Sequence, residues 1–198
     1  MSGPTPDQVA AEVAAAIAAL RRGEVVAYPT ETFYGLGVDA FDAAALERLR
    51  ALKGRDEKAI SVLIEGEAML ARMCAEPSPR ARELMARHWP GPLTLALPAR
   101  PGLPEALVLD GCVAVRQSPH PIARALVAGF GGPVTTTSAN RSGEPPASEA
   151  AAVRAALVDG CHVLDGGRTT GGAPSTLARV RGDAVEILRA GALDLGAV

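Results

Sequence analysis

The chain has 198 residues, which is enough for one domain with a substantial hydrophobic core. Apolar residues make up 48% of the chain and exclude an extensively disordered protein. The formal net charge of −2 argues against broad, nonspecific binding to nucleic acid, which needs a positive surface. We therefore expect residues 1–198 to form a single domain in which any anion site is a local pocket.

A capping pattern opens the first predicted helix. Thr5 is placed to act as the N-cap, Pro6 suits the first turn, and Gln8 completes a capping box. Aliphatic residues then recur at helical spacing until Gly23, which ends the helix. A short buried strand is predicted directly afterwards, at residues 25–28.

Helical and strand patterns then alternate along the rest of the chain. Their spacing is too irregular for a uniform β-α-β repeat, so the pattern favours a layered α/β fold with a mixed sheet. The predicted helices are residues 42–52, 78–89, 121–128 and 148–157. The predicted strands are residues 61–64, 93–97, 113–115, 134–137, 162–164, 176–180 and 185–188.

The cysteines and the N-terminus indicate the cellular compartment. Cys74, Cys112 and Cys161 are widely separated and form no C-x-x-C pair, which is a poor framework for disulfides or for zinc. Three unpaired, widely separated cysteines favour a reducing compartment. The N-terminal stretch lacks the basic segment of a signal peptide, and no run of roughly eighteen apolar residues occurs. The sequence predicts a soluble, cytoplasmic protein with no membrane contact.

Four polar loops each follow a predicted strand, which is where α/β sheets bind their ligands. The first, residues 29–37, combines hydroxyls, a carboxylate and glycines, although a turn ending in glycine would also explain it. The third, residues 135–143, is a row of small hydroxyls suited to lining a groove, or else an edge strand that ends in a turn. The fourth, residues 166–176, would pass alone as a surface loop.

The second polar segment contains both lysines of the chain, Lys53 and Lys58, among 20 cationic residues. A lysine ammonium is compact and serves as a point charge for phosphate, whereas arginine presents a planar fork. The segment therefore indicates an oligophosphate or carboxylate ligand, with a solvated turn as the alternative. The chain contains no P-loop, no G-x-G-x-x-G after a strand and no G-x-S-x-G elbow, so a different scaffold would hold the phosphates.

Seven short strings, taken in chain order, resemble the YrdC-like threonylcarbamoyl-adenylate synthase family, also called TsaC. They extend over most of the chain, and the first reads YPTETFYGL. The strings are residues 28–36, 52–55, 89–94, 113–116, 137–143, 175–176 and 188–189.

The resemblance implies a three-layer α/β YrdC-like fold, in which a twisted mixed sheet and flanking helices surround a deep, positively charged cavity. It implies a nucleotidyltransferase that condenses L-threonine, bicarbonate or CO2, and ATP into threonylcarbamoyl-AMP, releasing pyrophosphate. Mg²⁺ would accompany ATP. The product would serve the threonylcarbamoyladenosine (t6A) modification of tRNA, which other proteins complete, and a weak direct contact with tRNA is compatible with this role.

The resemblance also implies roles for particular residues, although it identifies no Mg²⁺ ligands. Lys53 and Arg55 would be catalytic. Arg116 would pair with the threonine carboxylate. The full threonine-binding set would be Thr30, Arg116, Thr136 and Ser175, and the ATP-binding set Lys53, Arg55, Ser138, Asn140 and Arg189.

The chain departs from the family pattern in two places. Residues 53–60 contain no proline and are one residue shorter than usual, which leaves the role of Lys58 open. Gln117, Ser118 and Pro119 stand where a small apolar residue and a proline are more usual. Neither change removes a cation or a hydroxyl from the expected pocket.

Two other functions remain open at this stage. A noncatalytic RNA-binding module of the same fold would need an exposed basic stripe with stacking aromatic residues. A carbamoyl-transfer module, as in hydrogenase-maturation proteins, would sit in a longer chain with zinc-binding cysteines. The observation that discriminates between a pocket and an RNA-binding surface is whether Lys53, Arg55, Arg116 and Arg189 converge in a cavity.

Overall fold

A computed structural model describes residues 5–54, 59–157 and 160–196 of the chain. The α-helices of these ranges are α1 Pro6–Arg21, α2 Ala43–Lys53, α3 Glu67–Met73, α4 Pro79–His88, α5 Pro121–Phe130 and α6 Ala150–Leu157. The first strands are β1 Val26–Pro29, β2 Tyr34–Gly37, β3 Val62–Leu63, β4 Leu93–Pro98, β5 Val108–Leu109 and β6 Cys112–Arg116. The remaining strands are β7 Val134–Thr135, β8 Thr137–Ser138, β9 His162–Val163, β10 Thr176–Arg181 and β11 Ala184–Arg189.

Side-chain caps fix the starts of three helices. At α1, the Thr5 hydroxyl accepts from the Gln8 main-chain N–H at 3.3 Å, and the Gln8 side chain accepts from the Thr5 N–H at 2.7 Å. This reciprocal arrangement is the predicted capping box. Asp42 and Ser78 accept from main-chain N–H groups in the same way at α2 and α4. Each cap satisfies a helical donor that has no partner within its own helix.

The strands form two sheets with mixed pairing. The four-stranded sheet has the order β8-β2-β1-β9, and the seven-stranded sheet has the order β11-β10-β4-β6-β3-β7 with β5 beside β6. The β1–β9, β3–β6 and β4–β10 pairs are parallel, and the other strand pairs are antiparallel. The predicted α/β class with mixed strand pairing is confirmed, with the strands divided between two sheets.

The prediction that residues 29–37 form only a polar loop is wrong. Residues Tyr34–Gly37 form β2, which pairs antiparallel with β1. Gly37 is required there by close packing, because a Cβ atom at this position would lie 2.6 Å from Val134 Cγ1 and 2.7 Å from Tyr28 Cε1. The glycines that resembled a turn signal therefore permit the close approach of neighbouring strands.

Aliphatic side chains fill two hydrophobic clusters. The smaller cluster packs α1 and α5 against β1 and includes Leu20, Leu126 and the fully buried Tyr28. The larger one fills the space around both sheets. Burial raises the pKa of the Cys74 and Cys161 thiols to about 11, so both stay protonated and unreactive near neutral pH. In the described parts of the chain, no helix combines the length and the apolar character needed to cross a bilayer.

Candidate active site

A cavity of about 410 Å³ opens where the two sheets meet the C-terminal end of α2. This volume lies within the usual range for small-molecule sites. Arg55 and Lys58 lie outside the described residues. All other residues that the sequence assigned to threonine or ATP line this one cavity, namely Thr30, Lys53, Arg116, Thr136, Ser138, Asn140, Ser175 and Arg189.

One side of the cavity, which we call the sheet wall, consists of Thr94, Arg116, Ser175 and Arg189. Thr94 and Arg116 are register partners on β4 and β6. The Thr94 and Ser175 hydroxyls share a hydrogen bond of 2.8 Å, and Arg189 Nη2 donates to the Ser175 carbonyl at 2.9 Å. The pairing of the strands thus brings residues far apart in sequence into one connected polar surface.

The two arginines of the sheet wall influence each other. Partial burial, and then repulsion from Arg116, lower the pKa of Arg189. Two cations held this close carry an electrostatic cost in the free protein. A bound anion would offset that cost, so the sheet wall is suited to binding a negatively charged group.

Arg116 is paired with a carboxylate of the protein itself. It is 5% exposed, and its Nη2 contacts Glu31 Oε1. The second Glu31 oxygen accepts a hydrogen bond of 2.6 Å from the Ser118 hydroxyl. Ser118 is one of the departures from the family pattern, and it supplies a hydroxyl directly to this pair. Pairing of Arg116 with a substrate carboxylate remains a prediction.

The opposite side, which we call the helix wall, consists of Arg50, Lys53, Ser138 and Asn140. Lys53 is the last residue of α2, which ends at the left-handed Gly54 with a φ angle of 75°. The ammonium group of Lys53 donates to the Ser138 carbonyl at 2.8 Å and to the Asn140 carbonyl at 3.1 Å. The end of a helix and the 138–140 segment are thereby held together by a buried cation.

Thr30 and Thr136 line the cavity between the two walls. The Thr30 hydroxyl donates to the Phe33 carbonyl at 2.7 Å and lies 3.3 Å from the Thr32 hydroxyl. It therefore shapes the turn before β2 as well as facing the cavity. The Thr136 main-chain N–H donates to the Ser61 carbonyl at 2.7 Å, which fixes this residue beside β3.

Three polar residues of the site received no role from the sequence. Arg50 precedes Lys53 by three positions on α2, and the helical period places both residues on the cavity side. That spacing was the available signal for Arg50. Thr94 and Glu31 stand inside the matched strings, but only the packed strands reveal that they contact Ser175 and Arg116.

A Mg²⁺ ion carried by phosphates fits this cavity better than one held by the protein alone. In the described residues, no group of three or more His, Cys, Asp or Glu side chains is arranged to hold a metal. Glu144 is the acidic residue that lines the cavity within these same ranges. Magnesium in nucleotide sites is commonly held by one or two carboxylates together with the phosphates of the substrate. Its presence remains a prediction.

The segment after β11 packs behind the sheet wall. A Cβ atom on Gly191 would lie 2.2 Å from the Pro174 carbonyl oxygen and 2.5 Å from the Thr176 nitrogen. The Ala192 N–H donates to the same Pro174 carbonyl at 2.7 Å. Ser175 thus packs against a stretch of chain, at Gly191 and Ala192, that follows it by 16 and 17 residues.

A mixed α/β fold whose cations and hydroxyls converge on one cavity defines a class of proteins that bind small anionic ligands. Lys53, Arg116 and Arg189 meet in this cavity, as a ligand pocket requires, whereas an RNA-binding surface would need them on a convex face. The model of the Sua5/YciO/YrdC family, described as "Telomere recombination", matches residues 18–191. The chain belongs to this family.

Three similar proteins illustrate the relationship. A threonylcarbamoyl-AMP synthase of Chromohalobacter salexigens is 46% identical over 178 residues, covering 86% of this chain and 93% of that protein. A protein of the same name from Bacillus subtilis is 38% identical over 92% of this chain, which spans 54% of the Bacillus protein. The crystal structure of P. abyssi Sua5 complexed with L-threonine is 35% identical, with a TM-score of 0.88, over 92% of this chain and 55% of that one.

Proposed function

We propose that this protein is a threonylcarbamoyl-AMP synthase, an enzyme that condenses L-threonine, bicarbonate and ATP and releases pyrophosphate. The observation that supports the proposal best is the convergence of Lys53, Arg116 and Arg189 with several hydroxyls on one cavity. The chain that builds this cavity is 46% identical over 178 residues to a threonylcarbamoyl-AMP synthase.

The first step joins threonine to bicarbonate. The amine nitrogen, after losing a proton, forms a bond to the bicarbonate carbon, and water leaves, which yields an N-carboxylate. The sheet wall is suited to holding the amino acid for this step. The Arg116 guanidinium offers donors for the threonine carboxylate, and the Ser175 hydroxyl lines the same cavity, where it would bind polar groups of the substrate.

The second step transfers the adenylyl group. An oxygen of the N-carboxylate attacks the α-phosphorus of ATP in line, and the bond to the pyrophosphate oxygen breaks. Both reactants are anionic, so cations at fixed positions reduce their repulsion and stabilise the charge that passes to pyrophosphate. Holding the reactants in line can itself contribute about 7–11 kcal/mol.

The helix wall supplies the groups that would face the nucleotide. Lys53 is held by two carbonyls, so its ammonium needs little reorganisation when phosphates arrive. Ser138 and Asn140 line the same wall and offer hydrogen bonds to the nucleotide. Arg55, which follows Lys53 by two positions, would add a second cation, and Arg189 a third from the sheet wall.

The remaining parts of the proposal concern the cofactor and the partners. When bound with ATP, Mg²⁺ would neutralise phosphate charge, with Glu144 as the carboxylate in reach of the cavity. We propose a cytoplasmic nucleotidyltransferase whose product is consumed by tRNA-modification proteins. An acyl-adenylate is a reactive anhydride, so it must be passed on promptly to the next enzyme.

The test is incorporation of labelled bicarbonate by the purified chain. We expect labelled threonylcarbamoyl-AMP and equimolar pyrophosphate only when ATP and threonine are both present. Serine in place of threonine should give less product, and activity with serine but not threonine would overturn the substrate assignment. Tight, salt-dependent binding of tRNA without any turnover would support the noncatalytic RNA-binding module instead.

A further inference from the structure

Glu31 lies at the centre of a buried contact next to the sheet wall. One of its carboxylate oxygens contacts Arg116 Nη2, and the other accepts from the Ser118 hydroxyl at 2.6 Å. The side chains of Arg116 and Glu31 are only 6% and 16% exposed. Such a pair is little screened by solvent, so its two charges interact more strongly than those of an exposed pair.

The protein anchors Glu31 through both its side chain and its main chain. The Glu31 carbonyl accepts from the Thr170 hydroxyl, and the carbonyl of the next residue, Thr32, accepts from the Gly171 N–H at 2.8 Å. Ser118 is fixed in turn, because its hydroxyl oxygen accepts from the His120 N–H at 3.1 Å. The carboxylate therefore has little freedom to leave Arg116.

Glu31 leaves part of the Arg116 guanidinium unused. A guanidinium carries five N–H donors in a rigid planar fork, and fixing one nitrogen sets the direction of the others. Arg116 Nε is buried and has no hydrogen-bond partner within the described residues. The fork is thus oriented by Glu31 without being saturated by it.

Glu31 also reduces the repulsion between the two arginines of the sheet wall. Arg116 and Arg189 repel each other, and the Glu31 carboxylate contacts Arg116. The negative charge of Glu31 offsets the positive charge of Arg116 in the free protein, so Arg116 can be held in place before an anionic ligand binds.

We propose that Glu31 is a positioning residue, which Ser118 holds in place and which orients the Arg116 guanidinium to receive the threonine carboxylate. The proposal rests on the proposed function, because it assigns the amino acid to the sheet wall. It predicts that the Glu31–Ser118 contact governs binding of the amino acid and leaves binding of ATP unaffected.

The main test is Glu31→Gln, which keeps the size of the side chain and removes its charge. We expect both the KM and the calorimetric Kd for threonine to rise about tenfold, the lower end of the effect of removing a group that orients a metal ligand. The KM for ATP should stay within about twofold, because only amino-acid binding changes. Glu31→Asp should recover part of the affinity, since it restores the charge with a shorter reach.

The matched control is Glu83→Gln on α4. Glu83 pairs with Arg80 and Arg87 at 2.6 Å, and it is not among the residues that line the cavity. The same chemical change at this site should alter neither KM. A general effect of losing an arginine–carboxylate pair would appear in both variants, whereas a positioning role appears in Glu31→Gln alone.

Ser118→Ala provides an independent route, because it releases Glu31 without changing the charge. Its effect on threonine binding should have the same direction and be smaller, and the double variant should fall short of the sum of the single effects. If Glu31→Gln fails to fold, the threonine Kd values of Glu31→Asp and Ser118→Ala test the positioning role of Glu31 instead, and unchanged values in both would overturn it.

An unchanged threonine Kd in folded Glu31→Gln, or an equal rise in the KM for ATP, would overturn the positioning role while leaving the synthase activity of the unsubstituted chain intact. If the unsubstituted chain forms no product, the proposed function fails. Calorimetric titration with threonine then tests the positioning role separately, and weaker binding by Glu31→Gln would still support it.

Discussion

Arg116 in the sheet wall and Lys53 in the helix wall are buried cations that face the same cavity, but their partners differ. Arg116 contacts the Glu31 carboxylate, which carries a full negative charge. Lys53 donates to the main-chain carbonyls of Ser138 and Asn140, which carry partial charges. Arg116 is therefore oriented by an acidic side chain, whereas two of the contacts of Lys53 are made to the backbone.

This difference determines how each wall responds to substitution. A carboxylate partner can be removed by changing one residue, and the arginine is then left as a buried charge. A carbonyl partner belongs to the backbone, so replacing the side chain of Ser138 or Asn140 does not remove it. The Arg116–Glu31 contact can thus be removed at either residue, whereas the two carbonyl contacts of Lys53 are removed by changing Lys53. The predictions below test this contrast in order of decreasing size.

The largest effect is expected for Arg116→Ala, which leaves the Glu31 carboxylate buried without its charge partner. Breaking a buried pair in this way typically costs about 3–5 kcal/mol in the free energy of unfolding. Urea unfolding measures this cost. The control is Arg154→Ala, because Arg154 pairs with Asp165 at an exposed position and should contribute about 0–1 kcal/mol. Equal costs for the two variants would show that the Arg116–Glu31 pair stabilises the fold no more than an exposed ion pair does.

Tyr28 tests the segment that connects the two walls. Its phenol donates to the Thr135 carbonyl at 2.8 Å, next to Thr136, and burial raises its pKa from 10.0 to about 12. Because the raised pKa favours the neutral form in the folded state, stability is unaffected below pH 10. It should fall by roughly 3 kcal/mol as the pH rises through 12. In unfolding measured from pH 9 to 12.5, Tyr28→Phe should not show this fall in stability. An equal fall in stability with pH in both proteins would refute the assignment to Tyr28.

Lys53→Ala should lower the free energy of unfolding by about 1–3 kcal/mol, since the Ser138 and Asn140 carbonyls lose their donor. If Lys53 also stabilises the transition state, turnover measured as pyrophosphate release should fall by about 10²–10³-fold. Arg48→Ala is the matched control. Arg48 lies on the same helix and donates to the Gly23 carbonyl, and it is not among the cavity-lining residues. Full activity of Lys53→Ala would remove this residue from the mechanism.

The smallest effect is expected for Ser175→Ala in the sheet wall. The variant loses the hydrogen bond between the Ser175 and Thr94 hydroxyls and the 3.3 Å contact of Arg189 Nη2 with the Ser175 hydroxyl. The Ser175 carbonyl keeps its bond from Arg189. We expect a cost of about 1 kcal/mol in stability and a higher KM for threonine. A change confined to the KM for ATP would show that Ser175 binds the nucleotide and not threonine.

Local signals in the sequence account for much of the fold. The helix starts at Thr5, Asp42 and Ser78 were predictable because the capping side chain bonds to a neighbour only three residues away. Strand β2 was missed because Gly35 and Gly37 are read as turn residues. Their actual role depends on Tyr28, Val134 and Thr136, and that information exists only after the strands have paired.

The candidate site shows the same limit. Most of its residues were found through matched strings, and the structure brings the described ones to a single cavity. The partners of these residues were not predictable. The Arg116–Glu31 contact joins positions 85 residues apart, and the Lys53–Asn140 contact joins positions 87 apart. Local sequence patterns carry no information about contacts between residues so far apart in the chain. The charge partners in the site could therefore be identified only from the packed structure.

The stretch that passes behind Ser175 has a practical consequence for protein engineering. Gly191 touches the backbone at Pro174 and Thr176, and Ala192 is hydrogen-bonded to Pro174, so this stretch braces the pocket from the rear. Trimming the chain just beyond β11 would take away that brace while leaving every pocket side chain in the sequence. A tag or fusion partner is better attached beyond residue 196, where it would leave the brace undisturbed.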